Sequence, residues 1–193
     1  MTRGGSAGVF SMGYASGALS VALLLAMAGA PEKTPPAVTA GKPGEPSLPQ
    51  IALPLAGLRP SDIRDTFEQG RSGGRPHEAA DIMAPRGTPV YAVDSGVVKK
   101  LFTSRAGGLT VYQFDSQQVY CYYYAHLDRY ATGIAEGKAL GRGDVIGYVG
   151  STGNADPAAP HLHFGITRIG PEKRWWGGEP INPYPILIQA LKK

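Results

Sequence analysis

Apolar and polar positions alternate along the middle of the chain in short runs rich in valine, tyrosine and threonine. These are Pro89 to Val93, Val97 to Phe102, Leu109 to Phe114 and Gln118 to Leu127. Turn-forming clusters, Asp94-Ser95-Gly96, Ala106-Gly107-Gly108 and Asp115-Ser116, separate them, and that spacing predicts a β-meander. Val145 to Val149 and His161 to Thr167 predict two further strands, with Gly141 to Asp144 and Ser151 to Pro160 as loops. Helix is expected only in a short piece near Ser61 to Phe67 and in a second after Pro185. The fold class expected is mainly β, a compact antiparallel sheet or sandwich-like domain with few short helices.

Composition supports that reading, since 27 glycines and 17 prolines in 193 residues suit tight turns better than long helices. A formal charge of +4 is spread along the chain without a basic run, which argues against a nucleic-acid partner. Cys121 is the single cysteine, so no intrachain disulfide can form. Placed between Tyr120 and Tyr122 in a strand-like run, it reads as a small buried hydrophobe.

The N-terminal part is organised differently. Residues 1–30 carry an uncharged leucine- and alanine-rich stretch preceded by Arg3, the pattern of a secretory signal peptide. Counted back to Val9, the stretch is also long enough to anchor the chain in a membrane. Residues 31–50 contain six prolines among polar residues, the composition of an extended or disordered linker. The folded unit is expected over residues 51–193, exported to the periplasm or cell envelope and there free or tethered to the inner membrane.

Four histidines carry the candidate chemistry, and each lies at a strand end or beside a Gly/Pro loop. His161 and His163 are two residues apart in a predicted strand, hence on one face and roughly 6.6 Å apart along the chain. One can bind a metal while the other stands just outside. His77-Glu78-Ala79-Ala80-Asp81 is compatible with a helical zinc motif in which Glu78 is the general base. Gly73, Gly74 and Pro76 before it, and Pro85 and Gly87 after it, leave too little room for such a helix. A turn over Glu78 to Ala80 instead brings His77 and Asp81 to one ion. Those two with one of the paired histidines make three protein ligands and leave a fourth position for water, the count of a catalytic zinc site. His126 ends the strand Val119 to Ala125 and is expected on the face of Tyr120, Tyr122 and Tyr124.

From about Leu53 to Pro185 the chain resembles the lysostaphin-type, or LytM-type, zinc metallopeptidases. The resemblance rests on His77-x-x-x-Asp81 followed by Met83 to Val90, on Tyr124-Ala125-His126-Leu127, on Gly143 to Gly153, and on Pro160-His161-Leu162-His163-Phe164, in the family's order. It implies one zinc ion held by His77, Asp81 and His163, with His126 and His161 as unligated catalytic histidines. It also implies a peptidoglycan endopeptidase acting on stem peptides or cross-bridges during cell-wall remodelling, or, as the alternative, a wall-binding regulator of other hydrolases. Some members have a tyrosine before the first ligand where this chain has Arg71, which leaves Arg71 or Arg75 as candidates for its part. Trp175 and Trp176 are assigned no role.

Overall fold

A computed structural model describes residues 47–71 and 74–193. The proposed signal or anchor, and the linker as far as residue 46, lie outside the described residues. No helix among the described residues is long and apolar enough to cross a membrane. At Ser47 the described chain already touches the sheet, its carbonyl accepting a 2.6 Å hydrogen bond from the Tyr120 hydroxyl.

Among the described residues nine strands form one antiparallel, branched sheet: β1 (Ala80–Met83), β2 (Pro89–Tyr91), β3 (Gly96–Ser104), β4 (Gly108–Asp115), β5 (Tyr120–Tyr130), β6 (Ala139–Leu140), β7 (Val145–Val149), β8 (His161–Arg168) and β9 (Glu179–Ile181). The main path runs β1-β8-β5-β4-β3-β6, with β9 added to β8 and the β2–β7 pair added to β5. The fold is mainly β, as the alternation predicts, and β3, β4 and β5 are the expected meander. Its proposed first member is not: β2 pairs with β7 instead of β3. The turn residues before Gly96 allow the chain to leave the sheet there, a choice that local pattern does not encode.

Three short strands escape the pattern. β1, β6 and β9 have two to four residues each, too few for alternation to declare itself, and each exists because a longer neighbour offers it a free edge. The helix α1 (Pro183–Ala190) starts earlier than expected because Pro183 and Pro185 fall in its first turn, where no backbone N–H is needed. Asn182 caps it by accepting from Tyr184 N at 2.9 Å. Near Ser61 only a three-residue 3-10 turn forms, Pro60–Asp62, and the chain is extended again at Ile63, which enters the core.

The core lies under one face of β5 and β8. Tyr122 and Tyr124 interleave there with Leu162, Phe164 and Ile166, all fully buried. Burial of each such side chain stabilises by about 1.5–3 kcal/mol. The Tyr124 hydroxyl accepts from Val93 N at 3.0 Å and donates to Gln113 Oε1 at 2.8 Å, so its polar end is satisfied in the interior.

Candidate metal centre

β1 and β8 lie side by side in a register that sets Asp81 directly opposite His163. His77 precedes β1 by one turn, and Glu78, at φ 55°, supplies the left-handed residue that swings the chain round. The bend brings His77 back to Asp81 without a helix, and Glu78 itself is exposed.

His77 Nε2, Asp81 Oδ1 and His163 Nδ1 form a small triangle with edges of 3.1, 3.0 and 3.0 Å. Tetrahedral zinc with bonds of 2.0–2.1 Å spaces its ligands by about 3.3 Å, so the triangle fits one small cation. Protonation points the same way. His77 Nδ1 donates to Thr66 O at 3.1 Å, which leaves Nε2 a bare lone pair facing a carboxylate oxygen. Two acceptors that close require a positive charge between or beside them. Arg71 supplies one here, its Nη2 donating to His77 Nε2 at 2.7 Å and pairing with Asp81 Oδ2. Burial opposes ionisation of Asp81, but wherever the His163 and His77 rings carry a proton toward it, their hydrogen bonds and charge outweigh burial and hold the carboxyl well below its usual range. Burial likewise pushes His163 down.

His126 and His161 stand beside the triangle. Their ring centroids are 4.9 Å apart, and His161 Nε2 is 3.8 Å from Asp81 Oδ1. His126 Nδ1 donates to Thr152 O at 2.8 Å and His161 Nδ1 to Ala159 O at 2.9 Å, so each ring presents a free Nε2. Burial lowers His126 to about 4 and keeps it neutral near pH 7.

His126 is not on the face of Tyr122 and Tyr124, contrary to strict alternation. β5 carries one extra residue against β4 between Tyr124 and Leu127, a β-bulge, and His126 sits in it at φ 59°. The bulge turns its ring out of the core and into the groove beside Tyr123. There, too, β5 passes from pairing with β8 to pairing with β7.

The segment Gly150-Ser151-Thr152-Gly153 holds this arrangement in place. Thr152 Oγ1 accepts from Leu109 N at 2.9 Å and donates to Leu127 O at 2.8 Å, stitching the loop across the bulge. A Cβ on Gly150 would lie 2.4 Å from Asp128 N and 2.8 Å from His126 O, so only glycine permits the approach.

The profile of peptidase family M23 matches residues 75–183, the span that contains all five of these side chains. The chain belongs to peptidase family M23. It is 35% identical over 151 residues to an L-Ala–D-Glu endopeptidase of Bacillus subtilis, a match covering 75% of this chain and 45% of that protein. It is 36% identical over 88 residues to a peptidoglycan DD-endopeptidase of Vibrio cholerae, covering 46% of this chain and 19% of the relative. The catalytic domain of lysostaphin from Staphylococcus simulans superposes with a TM-score of 0.54 at 29% identity, over 65% of this chain and 89% of that structure. This chain thus spans less than half the length of either curated relative.

In this M23 chain the triangle opens into a groove of about 620 Å³ whose lining includes Arg71, Arg75 and Asn154 to Asp156. A second hollow of about 390 Å³ meets it at Arg75, His77, Tyr123 and His163, and is lined further on by Trp175 and Trp176. Trp175 reaches that wall by packing on Tyr112, with centroids 4.7 Å apart. The tryptophans' place follows from a loop crossing the sheet, which local sequence does not report.

Proposed function

We propose that this chain is a zinc-dependent endopeptidase that hydrolyses peptide cross-links of bacterial peptidoglycan, with His77 Nε2, Asp81 Oδ1 and His163 Nδ1 as the three protein ligands. The observation that carries the reading is the triangle of donors at 3.0–3.1 Å with two unligated histidine Nε2 atoms beside it. Three ligands would leave an open position, and a zinc ion held there would supply Lewis acidity to the substrate carbonyl and the attacking water. His126, neutral and fixed by Thr152 O, is placed to take a proton from the attacking water through Nε2. His161, fixed by Ala159 O, shares the work of steadying the developing oxyanion and returning a proton to the leaving amine. The open groove admits an extended peptide, and family relatives named as peptidoglycan and L-Ala–D-Glu endopeptidases favour a wall substrate. Residues 1–30 export or anchor the chain, and the linker tethers the catalytic unit within reach of the envelope as far as Ser47, where the chain meets the sheet.

The test is incubation of the purified chain with cross-linked wall fragments, with and without a chelator, followed by mass analysis. New amine and carboxyl ends that appear only with zinc are the expected result. A folded, zinc-loaded chain that leaves the fragments intact would move the assignment to the wall-binding regulator.

A further inference from the structure

Gly70 and Pro76 pair antiparallel, and Arg71 N donates to Arg75 O at 2.8 Å, so Arg71 and Arg75 stand directly opposite each other on a short ribbon. Directly opposed residues share a face, and here both line the groove beside the donor triangle. Two like charges in that relation destabilise the ribbon, a cost that packing of these exposed side chains does not offset. Arg71 is accounted for by Asp81 Oδ2, the carboxylate oxygen outside the donor triangle. Arg75 is not. Seven of the ten arginines among the described residues, Arg59, Arg71, Arg86, Arg129, Arg142, Arg168 and Arg174, pair with a carboxylate of the chain. Of the other three, Arg64, Arg75 and Arg105, Arg75 alone lines the groove, and it does so where the two hollows meet beside His77 and His163.

We propose that Arg75 binds a carboxylate carried by the substrate, so that the site takes anionic peptides in preference to neutral ones such as glycine bridges. The proposal rests on the endopeptidase reading and adds to it the charge of the substrate. A guanidinium binds a carboxylate through two parallel N–H donors, and a charge-assisted contact of this kind is stronger than a neutral one. The position favours a residue close to the scissile amide, because Arg75 is two residues from His77 and shares both hollows with it.

The experiment uses three peptides of one stem-peptide backbone. The first has an internal glutamyl carboxylate and an amidated C-terminus, the second a carboxamide in that place and a free C-terminus, and the third neither charge. Values of kcat/KM are compared for the zinc-loaded wild type, Arg75→Gln and Arg75→Lys. In wild type one of the charged peptides is favoured over the neutral one by about tenfold or more, and which one names the source of the carboxylate. In Arg75→Gln that ratio falls toward one through a rise in KM, and Arg75→Lys restores part of it. Equal rates on all three peptides in wild type, or an unchanged ratio in a folded Arg75→Gln, overturns the proposal. If wild type cleaves none of them, the endopeptidase reading fails separately. Calorimetric binding of the same peptides then decides, with a charge preference lost in Arg75→Gln as support and indifference to charge as refutation.

Discussion

Thr66 O, Thr152 O and Ala159 O each accept a hydrogen bond from the Nδ1 of one histidine, which leaves three Nε2 atoms free, and their positions divide the site. His77 points its bare Nε2 into the donor triangle, whereas the Nε2 atoms of His126 and His161 stand beside it. His163→Ala is therefore expected to lose both bound zinc and hydrolysis, read as metal content after dialysis together with wall-fragment cleavage. His126→Ala should keep the metal and lose roughly 100- to 10,000-fold in kcat. A His126→Ala enzyme with wild-type turnover removes that ring from the mechanism. Cys121 borders the second hollow but is buried, and burial pushes its thiol up to about 12. The native chain should resist thiol reagents at pH 8 and react with one equivalent after denaturation, and rapid native labelling would contradict the burial.

At the level of elements the β5 bulge and the Gly150–Gly153 loop act together, because the loop's Thr152 bonds both strands that flank the extra residue. Thr152→Val keeps the shape and leaves Leu109 N and Leu127 O without their partner, a loss of about 1–3 kcal/mol in urea unfolding. Gly150→Ala forces its Cβ against Asp128 and His126 O, with a cost of about 1–3 kcal/mol and a fall in kcat larger than in KM, since the displaced group is the His126 backbone. A stable Gly150→Ala variant with normal kcat would show that the bulge tolerates movement. The same element explains a limit of pattern reading. Alternation put Tyr122 and Tyr124 on one face, which proves to be the core side, yet it fails at His126, because one extra residue inverts every following position.

Over the whole domain, the three donors join segments far apart in sequence, so a bound ion ties the turn before β1 to β8. Chelation should lower the melting temperature. With free zinc a thousandfold above its Kd, the linked stabilisation is about 4 kcal/mol. That is about 8–16 °C for a domain of this size, read in scans with and without chelator and with magnesium as a control. An unchanged melting temperature would argue that the triangle does not hold the ion. The sequence alone determined the mainly β class and the limits of most long strands, because strand periodicity is a local property, and it offered five candidate site residues, whose separate roles came from the resemblance of their motifs to a known family. Tertiary structure decided what depends on partners. It paired β2 with β7, gave β1, β6 and β9 their edges, and set Asp81 across from His163. It also turned His126 into the groove and placed Arg71 and Arg75 face to face, because register, bulges and cross-strand neighbours exist only once distant segments have met.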